Sequence, residues 1–275
     1  MLNPNDILDA HRFPRVGKCI YCGSTENLTD EHVLPLGLSG TAVLPDASCK
    51  ECAKITGRFE QDVLRGPMQQ VRVFRGLKSR TKHRDAPQTK ELQITTDDSG
   101  PQSAQVGFTE GPVVFTFPLF EVPAFLMPED YTQGIRMKGV ACCAFGATPD
   151  EVAKERGVQS LGWSENHRYV SFARMLAKIA YANAIGRAME KGVKDLFPMT
   201  PPIVSSILGT TEDIGVWVGT LTKPPEKHDG ILHRVNLSTL TGRDDILVSE
   251  VQIFADSETP CYGVILGPSN LKLTP

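Results

Sequence analysis

The sequence predicts an α+β fold in two parts: a zinc-knuckle module at the N-terminal end, then an α+β domain with a central helix and an antiparallel C-terminal meander. Three observations predict it. Two Cys-x-x-Cys pairs, Cys19/Cys22 and Cys49/Cys52, have 26 residues between them, a pattern in which four thiolates can close around one tetrahedral zinc. An alanine-rich stretch over 165–191 carries Phe172, Met175, Leu176, Ile179, Asn183 and Gly186 on one helical face. Four strand-like runs, 214–221, 231–240, 246–255 and 261–267, follow with turn formers such as Thr241-Gly242-Arg243-Asp244 between them.

Along the chain, residues 1–13 (MLNPNDILDAHRF) have acidic residues and a proline where a secretory leader would need an apolar run. A cytoplasmic location is expected, and with it reduced thiols, which favours structural zinc over disulfides at the two knuckles. Residues 52–64 predict a helix with Ile55, Phe59 and Val63 as its buried stripe and with Lys54 and Arg58 turned away; Gly66-Pro67 ends it. A second helix over 67–75 would place Val71 and Phe74 inward and Arg72 and Arg75 outward, with Gly76 as its stop. Residues 78–92 have little to bury and read as a basic arm or linker, dividing a domain at 1–77 from one at 93–275.

Strands are expected over 92–95 and 105–120, where Val and Phe recur between prolines. Thr148-Pro149-Asp150-Glu151 is a helix start with the residues of a capping box, and that helix should stop near Gly157. The long alanine-rich helix should then form the centre of the second core, since small residues let neighbours approach on several sides. Cys142, Cys143 and Cys261 read as core packing, as do Trp163, Tyr169 and Trp217. His11, His83, His167, His228 and His233 show no ligand spacing to one another and read as structural or exposed.

Composition is that of an ordinary globular chain: with 40% hydrophobic and 22% charged residues among 275, it can bury a core and needs no disorder. The most apolar stretch, 113–128, contains Glu121 and three prolines, which excludes a membrane-spanning helix there. The net charge of −3 gives no overall attraction to nucleic acid, but residues 65–90 carry Arg65, Arg72, Arg75, Lys78, Arg80, Lys82, Arg84 and Lys90 against Asp85 alone. Neutralising phosphates releases counterions and positions a strand without reading its sequence, so this segment suits nucleic acid, DNA foremost.

Between the knuckles lies Leu28-Thr29-Asp30-Glu31-His32-Val33-Leu34-Pro35. A carboxylate next to an imidazole is the pairing that metal-assisted hydrolysis needs: the cation neutralises developing charge while the imidazole takes a proton from water near pH 7. The order of knuckle, LTDEHVLP, glycine-containing loop and second knuckle opening a helix resembles the HNH endonucleases, whose ββα-metal core here would cover about residues 18–66. That resemblance implies His32 as the general base, Glu31 as a ligand of a catalytic Mg or Mn ion, and Cys19, Cys22, Cys49 and Cys52 as the structural zinc site. Phosphate contacts would come from Lys54, Arg58, Arg65, Arg72, Arg75, Lys78, Arg80, Lys82 and Arg84.

The family usually places His or Asn on the first turn of that helix, and this sequence has Ala53. Asp30, Asp46 or water could fill the gap, whereas Glu60, on the same helical face, lies roughly 10 Å further along the axis. The expected function is therefore a metal-dependent endonuclease hydrolysing phosphodiester bonds. The alternative is a zinc-knuckle module with impaired catalysis that binds nucleic acid or a protein partner.

Overall fold

The computed structural model describes residues 11–77, 89–96, 99–127, 134–164 and 167–270, which form an α+β fold. Lys78, Arg80, Lys82, Arg84 and His83, all expected in the basic arm, lie outside the described residues, as do 165 and 166 at the expected start of the long helix.

The N-terminal part is a strand β1 (Leu28–His32), a short 3-10 turn at Leu36–Leu38, a strand β2 (Val43–Cys49) antiparallel to β1, and a helix α1 (Lys50–Leu64) that continues from β2 without a loop. Cys49 is the cap of α1 and Glu51 lies in its first turn, where a carboxylate suits the helix dipole. Phe59 and Val63 are buried as expected, Lys54 and Arg58 are exposed, and Cys52 and Thr56 join the buried side. After α1 comes the short α2 (Gln69–Phe74). Its facing differs from expectation. Val71 is buried, but Phe74 is exposed and Arg72 is buried, because Arg72 reaches back to carbonyls that the preceding turns leave open.

Next come β3 (Thr89–Thr96), β4 (Ser99–Gly107), β5 (Val114–Phe120), β6 (Met137–Ala144), α3 (Pro149–Arg156) and β7 (Ser160–Gly162). Strands β4, β3 and β7 form one sheet in that order, and β5 pairs with β6 in another. The capping box at α3 forms as the sequence indicates: Thr148 accepts from the Glu151 backbone and the Glu151 carboxylate accepts from the Thr148 N–H, with Gly157 left-handed at the other end. Strands β6 and β7 had no strong alternation to announce them. Cys142, expected in the core, is exposed on β6.

Helix α4 (Tyr169–Glu190) is the centre of the molecule. The expected face is buried throughout, and so are its alanines at 173, 177, 180, 182, 184 and 188. Around it stand α1, the helices α5 (Ile203–Leu208) and α6 (Ile214–Trp217), and a sheet of β8 (Val218–Thr220), β9 (His233–Leu240), β10 (Arg243–Ile253) and β11 (Cys261–Pro268) in the order β8-β11-β10-β9. The meander of β9, β10 and β11 is as expected; the run at 214–221 instead begins as α6 and ends as an edge strand.

One hydrophobic cluster runs from Phe13 and Tyr21 through Phe59 and α4 to Tyr262 and Leu266. Two separate cores were expected, and the packing is continuous instead, because α4 buries one side against α1 and another against the C-terminal sheet. Small residues make this possible: a Cβ at Gly186 would stand 2.8 Å from the Phe13 ring. Phe172 packs with Phe115, Phe117, Phe120 and Tyr262, which joins β5 and β11 to the same helix. Among the described residues no helix is long and apolar enough to cross a membrane.

Candidate functional site

The two knuckles meet. The ligand atoms of Cys19, Cys22, Cys49 and Cys52 all lie within 4.8 Å of one another, and the Cys22 and Cys49 sulfurs are 3.6 Å apart. Sulfurs around a tetrahedral zinc with bonds of about 2.3 Å are separated by about 3.8 Å, so the four residues fit a metal such as zinc. The first knuckle is shaped by a turn in which Gly23 N–H donates to the Cys19 carbonyl (2.9 Å) at a left-handed Gly23. Helix α4 supports it: the Tyr181 hydroxyl donates to the Ile20 carbonyl (2.7 Å), and the Ile20 N–H donates to Ala47 of β2 (2.8 Å). Burial first, then Cys19 and the other sulfurs, push the Cys52 thiol far above its ordinary value. A cation at the centre reverses that penalty, because coordinating thiols are deprotonated.

Beside this centre lies a cleft of about 570 Å³ whose lining includes Glu31, His32, Ala53, Glu60, Arg65, Arg72 and Lys178. Sequence reasoning paired Glu31 with His32, and both line it. The hairpin is irregular at this point: Thr29 faces Ser48 while Glu31 faces Leu44, so β2 bulges opposite Asp30, with Asp46 in a left-handed conformation. Bulges of this kind bend a strand and re-aim its side chains. Glu31 is buried at 5% exposure, and His32 is half-buried at the end of β1. Asp30 and Asp46, the candidates to replace the missing helix ligand, are engaged elsewhere: Arg12 pairs with Asp30 (3.1 Å) and Arg15 with Asp46 (2.5 Å).

No family model, curated protein or solved structure matches the chain.

The residue that sequence reasoning missed is Lys178. It projects from α4 at 1% exposure, with Nζ 2.7 Å from Glu31 Oε1 and 3.0 Å from Glu60 Oε1, and it donates to the carbonyl of His32. Burial works against its charge, but Glu31 and then Glu60 more than offset that, and the ammonium is held above its ordinary value. Its signal was available: a lone charge in an otherwise apolar helical run, MLAKIAYANA, must find partners when it is buried. Glu60 has a part that the sequence did not indicate. Set aside as a metal ligand for its axial distance from Ala53, it shares one ammonium with Glu31.

The basic candidates divide. Lys54, Arg58 and Arg65 are exposed, and Arg65 lines the cleft. Arg72, expected outward, donates from Nε to the Gly37 carbonyl (2.6 Å) and from Nη1 to the Leu64 carbonyl (2.8 Å) while lining the cleft wall. Burial, then the neighbouring Arg65, lower its pKa, yet a guanidinium stays charged. Two cations therefore share one wall. Arg75, also expected outward, is committed inside: it pairs with Asp256 (2.7 Å) and stacks over Phe145 and Phe254.

The loop that follows His32 is tied to the C-terminal sheet by His233, whose Nε2 donates to the Leu38 carbonyl (2.9 Å) while Nδ1 accepts from the Phe254 N–H (3.1 Å). That pattern is the neutral imidazole, and burial lowers its pKa from 6.5 to about 4. The unfolded chain then binds more protons than the folded one between those values, so stability rises with pH across that window and is lost on acidification through it. His233 alone should account for about 3 kcal/mol between neutral pH and pH 4, since one pKa unit is worth about 1.4 kcal/mol. Urea unfolding as a function of pH checks this: His233→Gln should flatten the slope between pH 6.5 and 4, and an unchanged slope would refute the assignment.

Proposed function

We propose that this chain is an HNH-type endonuclease in which a zinc-braced strand–loop–strand–helix module presents His32 as general base to a phosphodiester in the cleft. One observation carries the reading: two cysteine pairs distant in sequence converge, and Glu31 and His32 stand together on the wall of one cleft. A half-buried imidazole at that wall can take a proton from water, and imidazoles change charge near the working pH of a cell. Arg65 and Arg72 on the same wall supply positive charge where a phosphate would carry negative charge, and guanidinium geometry matches phosphate oxygens. Exposed Lys54 and Arg58 on α1 would extend the contact along a nucleic-acid backbone, DNA foremost.

The resemblance that prompts this reading also implies a Mg or Mn ion on Glu31, and the donor set does not fit one as folded. Ala53 offers no ligand atom, and the Glu31 carboxylate is already neutralised by the Lys178 ammonium at 2.7 Å. The same two facts favour a second reading, a module that kept the zinc support and the basic wall and binds nucleic acid without cutting it.

The test uses labelled single- and double-stranded DNA and RNA with the full zinc-loaded chain, in divalent-free buffer and with Mg or Mn added. Wild type should cleave, and His32→Ala should reduce the rate by about 10²–10⁴-fold, the range for loss of a general base, with zinc content and binding affinity nearly unchanged. Binding without cleavage under every condition would remove the nuclease reading and leave the second. Equal rates in wild type and His32→Ala would remove His32 as the base.

A further inference from the structure

We infer that Lys178 occupies the place of the divalent cation in this cleft, so that half of the charge of the Glu31–Glu60 pair is offset from within the fold and the wild-type chain does not take Mg or Mn there. The inference deepens the proposed function and, in its cleavage arm, rests on it.

The geometry points to this from three sides. The Lys178 ammonium is within 3.0 Å of both carboxylates, close enough to form an ion pair with each. It also donates to the His32 carbonyl and, at 3.4 Å, to the Val33 carbonyl. Two carboxylates and the backbone carbonyls thus surround the ammonium, and at 1% exposure it is turned to the fold and not to a substrate phosphate. It is a positioning residue, holding Glu31 and the backbone that carries the base in fixed relation to α1. Displacement is opposed by the packing: Lys178 is 1% exposed in the middle of α4, whose neighbours on both sides are core residues. An arriving divalent ion would have to share two carboxylates with a resident cation that cannot swing into water. With one positive and two negative charges the cluster retains a single negative charge, where two unshared carboxylates would present two.

The chemical consequence concerns how the proposed site treats a phosphodiester. Charge on the phosphate would be met by Arg65 and Arg72 on the cleft wall; water would form the new P–O bond as its proton passes to His32, and the P–O bond to the leaving group would break with that oxygen taking a proton from solvent water. The balance needs no redox partner and no resident metal. Cleavage should then proceed in divalent-free buffer.

Manganese binding decides the matter independently of activity. The zinc-loaded full chain is titrated with MnCl2 and free Mn(II) is read by electron paramagnetic resonance. Wild type and Glu31→Gln should bind alike, with no Glu31-dependent site below about 1 mM, an affinity near the weak end of useful binding. Lys178→Gln should gain one site at least tenfold tighter, and adding Glu60→Gln to it should abolish that site. A wild-type site that disappears in Glu31→Gln would overturn the inference, as would a folded Lys178→Gln that gains nothing. Should Lys178→Gln fail to fold, the wild-type and Glu31→Gln comparison still decides. Failure of the two readings is separable: a chain that takes no Mn and cuts nothing sinks the nuclease and leaves the lysine's role, whereas Mn-dependent cleavage with Glu31-dependent Mn binding does the reverse.

Discussion

Cys52→Ser should release the bound metal and abolish cooperative folding of the whole chain, a larger effect than the loss of one small module. Structural zinc in isolated knuckle modules contributes an apparent binding free energy of about 10–16 kcal/mol. A domain is stable by only about 5–15 kcal/mol in total, so the metal's contribution is comparable to everything else. Here the knuckle is not isolated. Ile20 and Tyr21 pack on Tyr181 of α4, and the core runs unbroken from Phe13 to Leu266. Freeing the first knuckle therefore exposes one side of the central helix, and unfolding should spread to the C-terminal sheet. Elemental analysis should find about one zinc per wild-type chain and none in the variant. Circular dichroism of the variant should show no sigmoidal thermal transition. A wild-type chain with no zinc, or a variant that melts like wild type, would overturn the metal assignment.

Lys178→Met should destabilise the chain by about 3–5 kcal/mol, the cost of leaving a buried charge pair without its counter-ion. The side chains are similar in length and the methionine can pack in an alanine-lined core, so lost volume contributes little. What remains is two carboxylates, Glu31 at 5% exposure and Glu60 close by, facing each other without the ammonium that separates them. Adding Glu60→Gln to Lys178→Met should recover part of the loss by removing the like-charge repulsion. The double-mutant cycle between positions 60 and 178, read by urea unfolding, should give a coupling above the few tenths of a kcal/mol typical of independent sites. Additive effects would mean that the bridge contributes nothing to folding. The comparison also bears on His32, because the same ammonium holds its carbonyl: nucleic-acid affinity of the folded double variant should fall less than its cleavage rate.

Local features were the legible ones. The capping box at Thr148 and Glu151, the left-handed Gly157 and the alanine-rich helix follow from neighbours within a few residues, and each forms as the sequence indicates. Pairing of Glu31 with His32 was legible too, since adjacent residues at the end of a strand share a neighbourhood wherever that strand goes. Arg72 and Arg75 were misread because a basic residue was given to solvent by default. The alternative depends on carbonyls of Gly37 and Leu64 and on Asp256, which no local pattern announces. The continuous packing was hidden for a similar reason: a polar stretch at 78–92 says nothing about whether helices on either side of it pack together.

By itself the sequence determined the four cysteines that could hold a metal, the long helix at the middle of the fold and the placing of a carboxylate next to an imidazole, because each is set by spacing or periodicity along the chain. Only the tertiary structure decided what those residues face. Lys178 meets the His32 carbonyl across 146 residues of sequence, and it does so because α4 buries one side on α1 and brings the one charge in its buried middle to Glu31, Glu60 and the carbonyls at the end of β1. A buried charge takes its meaning from the groups that packing brings to it, and packing between distant segments is not written in the order of either one.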